Sequence, residues 1–357
     1  RHQIHSGWFK YLLEFLAARF YELGDNIKLW KGLKLIAIDG SSAFLISGNE
    51  ANTVYKGARN KYGSYPLCRF MKMHDVLNNI TLKVDMLTME GSERKCAYKW
   101  IDAIPDNSLT LFDRGFPSFT LFFLLQNCEK PKAFIARCKL DFSNSIKAFA
   151  ASAGKSQMIS FYADERARAI LLSHGYMVSK ETCITLRVEK ILLPNGITEV
   201  LITSITDTKI LSSQELKLLY KQRWGIETAI GREKNLLQLE NYSSHLLQGI
   251  EQDFYATFIA ANIHSLIAGQ AQSMIEKMCN KSKYAQQLNY SASMYVFKKR
   301  LLQVFYTKKL KILLEEIAIA FKQFTEPIRP NRTIVRKKTS KRRYGKHQTQ
   351  KNYRNNF

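Results

Sequence analysis

The sequence predicts an α/β protein whose α/β part is interrupted by a β-rich insertion and which ends in a helical region. Two apolar runs, LKLIAIDG and SLTLFDRG, each reach an aspartate with a glycine close behind, which is typical of a strand followed by a turn. From about residue 132 to residue 210 the pattern is β-like, and from Ser212 to about residue 325 apolar residues recur at helical spacing. Strands mixed with helices, then strands, then helices favour this fold class.

The first half of the chain begins with a predicted helix over residues 8–30, in which large apolar residues recur every three or four positions. A strand that stops at Asp39-Gly40 follows, and NITLKVDML is a second strand candidate. SLTLFDRGF has the same pattern as the first strand and predicts a strand that ends at Asp113. The apolar run FTLFFLL behind it fits a helix or a strand equally well.

The second half contains the β-rich insertion and the helices. KAFIARCKL, CITLRVEKILL and TEVLITSI predict strands, and Pro194-Asn195-Gly196 predicts a hairpin turn between the last two. Ser212, with Glu215 three residues later, predicts a helix start. The stretch 254–271 is apolar but contains Asn262 and His264, so it predicts a buried helix and not a membrane span.

The charge of the chain points to a polyanionic partner. Its 54 Lys and Arg residues exceed the 30 Asp and Glu residues, which gives a net charge of +24. The basic tail, residues 329–357, holds eleven of these cations and no acid, so 24 − 11 = +13 remains on the rest. Such a field favours nucleic acid or an anionic membrane, and the lack of a convincing membrane segment favours nucleic acid.

One predicted helix, YKQRWGIETAIGREK (residues 220–234), has an unusual combination of charges. On a helical wheel Tyr220, Arg223, Glu227 and Lys234 fall within one stripe about 60° wide, which borders the apolar flank. A stripe in that position lies where a cleft can open. Taken alone, Glu227 and Arg223 at i, i+4 are an ordinary surface ion pair, and an aspartate before glycine is an ordinary turn residue.

The three acids together point to metal-dependent phosphoryl chemistry. Asp39 and Asp113 end two apolar strands, and Glu227 lies on a later helix. Carboxylate oxygens are the ligands that Mg²⁺ prefers, and two such ions can act on the attacking and the leaving oxygen of a phosphodiester. Three carboxylates without a cation between them repel one another, so their convergence predicts a metal site.

The spacing Tyr220-x₂-Arg223-x₃-Glu227-x₆-Lys234 resembles the Y-R-E-K signature of the insertion-sequence 4 group of bacterial DDE transposases. AIDGSS around Asp39 and LFDRGF around Asp113 look like the two aspartate motifs of that family, and a β insertion before the glutamate is also typical of it. The resemblance covers about residues 31–275 and implies an RNase H-like mixed sheet flanked by helices.

The resemblance also implies roles for individual residues. Asp39, Asp113 and Glu227 would be catalytic residues and metal ligands, for two Mg²⁺ ions with Mn²⁺ able to substitute. Tyr220, Arg223 and Lys234 would contact the DNA backbone, and all three are phosphate donors on chemical grounds. Arg114, next to the second aspartate, is a further candidate for DNA binding. Trp224 could stack on DNA, although its apolar ring favours a buried anchor.

Two features differ from the relatives. Some of them place a tryptophan of the β insertion against a flipped base during hairpin formation, but no Trp occurs between Trp100 and Trp224 here. An aromatic residue of the insertion would have to replace it, or the hairpin route is absent; the candidates are Phe134, Phe142, Phe161, Tyr162 and Tyr176.

Relatives also commonly have a helical DNA-binding region before the first strand, where this sequence has some 30 residues. Either the chain is a fragment or another region recognises the DNA end.

The sequence thus predicts a cut-and-paste DDE transposase of an insertion sequence. Its partners would be double-stranded DNA, as terminal inverted repeats and target DNA, and a second copy in a synaptic homodimer. The expected location is the bacterial cytoplasm, associated with the nucleoid and not with a membrane. The alternatives are a catalytically incomplete DNA-binding remnant and an RNase H-like nuclease without strand transfer.

The predicted domain organisation has six parts. They are an N-terminal helical segment (1–30), the first part of the catalytic core (31–131), the β-rich insertion (132–210), the second part of the core (211–275), C-terminal helices (276–328) and the basic tail (329–357).

Overall fold

The computed structural model describes residues 3–24, 27–57, 59–60, 63–192, 196–278 and 283–329. The chain forms two compact units. The sheet unit consists of Gly24–Ser42 and Cys68–Ile230, and the helical unit consists of Arg1–Leu23, Ala43–Leu67 and Gly231–Phe357. The six-part division predicted above remains a prediction, and the basic tail from residue 330 onward lies outside the described residues.

The strands in chain order are β1 (Lys34–Phe44), β2 (Arg59–Asn60), β3 (Gly63–Ser64), β4 (Leu67–Asp75), β5 (Ile80–Leu87), β6 (Ser108–Phe112), β7 (Ala133–Cys138), β8 (Ser156–Tyr162), β9 (Cys183–Leu192), β10 (Thr198–Thr203), β11 (Gln286–Leu288) and β12 (Thr325–Pro327). Strands β2 and β3 pair with each other, as do β11 and β12.

The helices are α1 (Ser6–Leu23), α2 (Asn49–Val54), α3 (Glu93–Lys99), α4 (Phe119–Asn127), α5 (Asn144–Ala151), α6 (Glu165–Ser173), α7 (Ser213–Gln222), α8 (Trp224–Asn235), α9 (Leu247–Met278), α10 (Tyr290–Tyr306) and α11 (Leu310–Lys322). Helix α7 starts where the sequence predicted, because Ser212 and Glu215 form a capping box that satisfies two backbone N–H groups.

An eight-stranded mixed sheet organises the sheet unit, with the order β5-β4-β1-β6-β7-β10-β9-β8. The central strands β1, β6 and β7 are parallel to one another. The antiparallel pairs are β4 with β5, β7 with β10, β10 with β9 and β9 with β8. This arrangement confirms the predicted mixed sheet flanked by helices. The four strands β7 to β10 extend the same sheet that contains β1 and β6.

The apolar run FTLFFLL forms helix α4, which resolves the choice left open by the sequence. Ser118 caps it by accepting a hydrogen bond from the backbone N–H of Leu121 at 3.1 Å. Parallel strands need a crossover connection, and α4 supplies it between β6 and β7. Seven of its nine residues are buried, so no polar face breaks the run and periodicity could not separate helix from strand.

Three predicted boundaries differ from the structure. The first helix ends at Leu23, before Gly24, and not near residue 30. Strand β1 does not stop at Asp39-Gly40 but continues to Phe44. In the sheet it lies between β4 and β6. The continuous helix predicted over residues 220–234 is interrupted at Arg223, which separates α7 from α8. At this point the backbone bonds span three residues: Arg223 N–H donates to Tyr220 O, and Ile226 N–H donates to Arg223 O.

The predicted hairpin turn falls partly outside the described residues, which exclude Pro194 and Asn195. The strands on either side, β9 and β10, pair antiparallel with Thr198 opposite Leu192. Gly196 has a φ of 78°, a conformation that favours glycine.

The core of the helical unit is built around α9, a helix of 32 residues. It includes the stretch predicted as a buried helix, and Asn262 and His264 are themselves buried. The imidazole Nε2 of His264 lies 2.9 Å from Ser293 Oγ on α10, which satisfies a polar group inside the core. Within the described part of the chain, no helix combines the length and the apolar character needed to cross a membrane.

Candidate active site

Strand register places Asp39 and Asp113 at equivalent positions on neighbouring strands. The parallel pairing of β1 with β6 runs from Lys34 opposite Ser108 to Ile38 opposite Phe112. Asp39 is the next residue of β1 and Asp113 directly follows the last residue of β6, so both lie at the carboxyl end of this pairing. In an open α/β sheet, ligands bind at this edge.

Glu227 reaches the same edge from helix α8. Gly225 in its first turn lies so close to Val76 that an added Cβ would be 3.2 Å from the Val76 Cβ atom. Val76 in turn donates its backbone N–H to Leu35 O of β1, which fixes the start of α8 against the central sheet. The break at Arg223 and the small residue at position 225 therefore position Glu227.

Arg223 connects two of the three acids. Its Nη2 donates to Glu227 Oε1 at 2.6 Å, and its Nη1 donates to Asp39 Oδ2 at 3.3 Å. The Arg223 side chain is only 3% exposed, so this is not the solvated i, i+4 pair that the sequence alone would suggest. A buried guanidinium with two carboxylates is a costly arrangement, which is stable only when its donors are paired.

Arg137 plays a similar part for the third acid. From β7, its Nη2 and Nε donate to Asp113 Oδ1 at 2.7 and 3.1 Å, and its Nη1 donates to Glu199 Oε1 of β10 at 2.7 Å. The sequence patterns did not single out Arg137 or Glu199. Their signal is a charged residue inside an otherwise apolar strand, AFIARC and TEVLIT.

The acids have different proton affinities. Burial raises the pKa of Asp39 to about 6, and the negative charges of Asp113 and Glu227 raise it further. The positive charge of Arg223 and the hydrogen bond from the Gly40 N–H lower the same pKa but do not cancel the effect of burial. Burial also opposes ionisation of Asp113, but the Arg114 backbone N–H and the guanidinium groups of Arg223 and Arg137 together hold its pKa below the ordinary value. The mutual influence of the three carboxylates means that they share one electrostatic environment.

The chemistry of the three carboxylates suits a hard divalent cation, because such ions take oxygen ligands. Their present arrangement is that of ion pairs with arginine, since Arg223 and Arg137 occupy carboxylate oxygens of all three acids. Within the residues that the structure describes, no three His, Cys, Asp or Glu side chains form a group that could hold a metal ion.

The residues predicted to bind DNA are placed differently from one another. Tyr220 is buried, and its hydroxyl lies 3.5 Å from Asp113 Oδ1. Arg114 is exposed next to Asp113. Lys234 belongs to the helical unit, where its Nζ lies 3.7 Å from Glu240 Oε1. Trp224 is 53% exposed, so the expectation of a buried anchor is wrong; its ring lies 5.7 Å from the Arg223 guanidinium carbon.

Most aromatic residues proposed to replace the missing tryptophan are occupied in packing. Phe134 stacks on Phe122 at 5.0 Å, and Phe142 and Phe161 contact the same ring. Tyr176 donates its hydroxyl to Asn127 O. Tyr162, which is 62% exposed at the end of β8, is the member of this set that remains accessible.

Comparisons with known proteins point to a transposase family. The family model described as transposase DDE domain matches residues 30–263. The putative transposase InsZ of Escherichia coli (strain K12) is 32% identical over 99 residues, which are 27% of this chain and 33% of InsZ. The match therefore spans about a third of this curated relative. The cryo-EM structure of the piggyBac transposase synaptic complex with hairpin DNA aligns with 84% of this chain and 59% of that chain, at 11% identity and a TM-score of 0.46.

Proposed function

This chain belongs to the transposase DDE domain family, and we propose that it moves an insertion sequence by cutting the element out of DNA and joining it to a target. One observation carries the proposal. Asp39 and Asp113 lie at equivalent positions at the carboxyl end of the β1–β6 pairing, and Arg223 donates to both Asp39 and Glu227.

The proposed reaction has two phosphoryl-transfer steps. In the first, the oxygen of a water molecule forms a bond to phosphorus at the end of the element, the bond from phosphorus to the 3′ oxygen breaks, and a 3′-OH is released. In the second, that 3′-OH forms a bond to a phosphorus of target DNA, and the oxygen of the neighbouring nucleotide leaves and takes up a proton. Both steps are displacements at phosphorus by an oxygen nucleophile, so one site can carry out both.

Asp39, Asp113 and Glu227 are the proposed ligands of two Mg²⁺ ions, for which Mn²⁺ can substitute. Such ions, when bound, activate an attacking oxygen and stabilise the charge of the leaving oxygen. Arg223 and Arg137 also supply positive charge to the three carboxylates, which would otherwise repel one another.

The remaining site residues have proposed roles in binding and orientation. Arg137 holds Asp113 in one orientation, because two of its nitrogens donate to a single carboxylate oxygen. Arg223, Tyr220 and Arg114 are proposed as phosphate donors: Tyr220 and Arg114 lie near Asp113, whereas Arg223, whose terminal nitrogens pair with Asp39 and Glu227, would have to release a carboxylate to bind a phosphate. Lys234 is proposed to contact the DNA backbone as a point charge.

The proposed partners follow from this chemistry. They are double-stranded DNA, as terminal inverted repeats and as target, and a second copy of the chain in a synaptic homodimer. A protein with these partners would act on the bacterial nucleoid in the cytoplasm. The surplus of 54 basic over 30 acidic residues is consistent with a polyanionic substrate.

An assay with purified protein, Mg²⁺ and labelled DNA from the inverted repeats that flank the gene tests the proposal. A transposase first nicks the element end and then produces joined products with a target plasmid. Nicking without joining would indicate an RNase H-like nuclease. Binding without nicking would indicate a catalytically incomplete remnant, and either result contradicts the proposed function.

A further inference from the structure

Helix α10 presents an exposed stripe that the proposed site does not use. Tyr295, Lys299, Leu302 and Tyr306 recur at i, i+4, i+7 and i+11, so they follow one face of the helix over about 16 Å. Leu302 is 70% exposed and Tyr306 is 83% exposed. The Lys299 Nζ atom lies 4.4 Å from the centre of the Tyr295 ring, which holds a cation beside an accessible aromatic face. We call these four residues the α10 stripe.

The core of the helical unit does not require the α10 stripe. The opposite face of α10 is anchored by Met294 and Phe297, which belong to the same buried cluster as Ile317 and Phe321 of α11. Met294 and Phe297 therefore hold the helix against the core, while Tyr295 and Tyr306 face outward. Exposed apolar side chains that cluster on one surface mark an interaction site more often than isolated ones do.

The charge around the α10 stripe indicates what it binds. Between residues 283 and 314 the sequence contains seven Lys or Arg residues and no Asp or Glu; of these cations, Arg300 pairs with Glu316 of α11, its Nη1 3.7 Å from Oε2. Lys308 and Lys309, which follow the end of α10, are both exposed. A second copy that met this surface with its own α10 stripe would bring the same positive charge and be repelled, whereas a polyanion is complementary to it.

We propose that the α10 stripe, with Lys308 and Lys309, binds single-stranded DNA. Aromatic rings interleaved with cations suit a single strand, because its bases are free to stack and its phosphates lie within reach of ammonium groups. Tyr295 and Tyr306 stack on bases, and Lys299, Lys308 and Lys309 pair with phosphates. This inference rests on the proposed function only in taking DNA as the polyanion.

Fluorescence anisotropy with a labelled oligo(dT) strand and a duplex of the same length tests the inference on the full chain. Because the double variant loses two rings on which bases would stack, Tyr295→Ala/Tyr306→Ala should raise the Kd for oligo(dT) about 30-fold or more. Tyr295→Phe/Tyr306→Phe keeps both rings and should bind nearly as wild type does. Lys308→Gln/Lys309→Gln should lower the slope of log Kd against log salt by about 0.7 for each phosphate that is no longer neutralised.

Tyr11→Ala is the matched control, because Tyr11 is similarly exposed, at 59%, on helix α1 of the same unit. Equal binding of oligo(dT) by wild type and the double alanine variant overturns the inference, and so does an equal loss in the Tyr11→Ala protein. Sedimentation velocity gives a further outcome: self-association that disappears in the double alanine variant would assign the stripe to a second copy and reject DNA.

The Glu227→Gln protein separates this inference from the proposed function. It should retain binding of oligo(dT) at the stripe while element-end DNA remains uncut. If the stripe variants bind oligo(dT) normally but wild type still cuts and joins, the stripe inference alone fails. If the stripe variants lose binding while wild type never cuts, the proposed function alone fails.

Discussion

The Nη2 atom of Arg223 lies 2.6 Å from Oε1 of Glu227, with the guanidinium buried and its other terminal nitrogen 3.3 Å from Asp39. The pair therefore has neighbours that a surface ion pair lacks. A third acid, Asp113, is held in the same electrostatic environment by Arg137. The candidate site is a set of carboxylates neutralised by arginine, and the role of each residue can be tested separately.

Replacement of Glu227 by Gln keeps the size of the side chain and removes its charge. If Glu227 is a metal ligand, cleavage of element-end DNA should fall by more than about 100-fold, because an amide is a poor ligand for Mg²⁺. DNA binding, measured by electrophoretic mobility shift, should be largely retained. Glu181→Gln removes a charge from an exposed glutamate and should cleave normally. Cleavage by Glu227→Gln near the wild-type rate would remove Glu227 from the catalytic site.

Replacement of Arg223 by Ala distinguishes a phosphate contact from a local ion pair. A hydrogen bond to a charged group contributes about 1.5–3 kcal/mol, so binding of element-end DNA should weaken about 10-fold or more. Arg19→Ala is the matched control, since Arg19 forms an exposed pair with Glu22 at 2.5 Å. A variant whose binding and cleavage both match the wild type would return Arg223 to the role of an ion-pair partner.

Arg137 is expected to act through Asp113. Arg137→Ala leaves Asp113 and Glu199 without their shared cation, and Arg137→Lys keeps the charge but loses the planar fork. Groups that orient a metal ligand typically change activity about 10- to 100-fold, so both variants should cleave more slowly, with alanine the slower. The pH profile of cleavage in Arg137→Ala should shift to higher pH, because the pKa of Asp113 is no longer held down by that guanidinium.

A structural defect would not move the pH profile in this way, which separates orientation from folding. Glu199→Gln gives a second check: if Arg137 and Glu199 work as one unit, the double variant should lose no more activity than Arg137→Ala alone. Additive losses would show that the two residues act independently.

The proximity of Asp39 and Asp113 could be predicted from the sequence because their positions follow from local patterns. Asp39 and Asp113 end apolar runs, and parallel register brings the ends of such runs to one edge of the sheet. Arg137 and Glu199 could not be found in that way, since their contact depends on the pairing of β7 with β10, some 60 residues apart. The break at Arg223 was missed because a helical wheel assumes constant spacing, whereas i→i+3 bonds tighten the chain there.

The basic tail should add sequence-independent affinity for DNA. Residues 329–357 contain eleven Lys or Arg residues and no acid. Each phosphate they neutralise adds about 0.9 to the slope of log K against log salt, so deletion of the tail should reduce that slope measurably for duplex DNA. A tail with its Lys and Arg residues replaced by Gln is the matched control for length and should behave like the deletion. An unchanged slope would exclude the tail from the DNA interface.

His264 should make the stability of the helical unit depend on pH. Burial, with a contribution from Arg232, lowers the pKa of His264 to about 3, against 6.5 for an unperturbed histidine. Below pH 6.5 the unfolded chain therefore takes up a proton that the folded protein excludes, and the folded state loses stability as the pH falls toward 3. One proton changes the free energy of unfolding by about 1.4 kcal/mol per pH unit, so the loss between pH 7 and pH 5 should be about 2 kcal/mol.

His264→Gln isolates this effect, because an amide can still bond to Ser293 Oγ but does not titrate. Urea denaturation at pH 7 and pH 5 should show a smaller drop in unfolding free energy for the variant than for wild type, by about the same 2 kcal/mol. The Gln variant should be less stable at pH 7, since the imidazole ring packs against Phe297 and Phe321 at 5.5 and 5.2 Å between ring centres. Equal drops in both proteins would mean that His264 is protonated in the folded state as readily as in the unfolded chain.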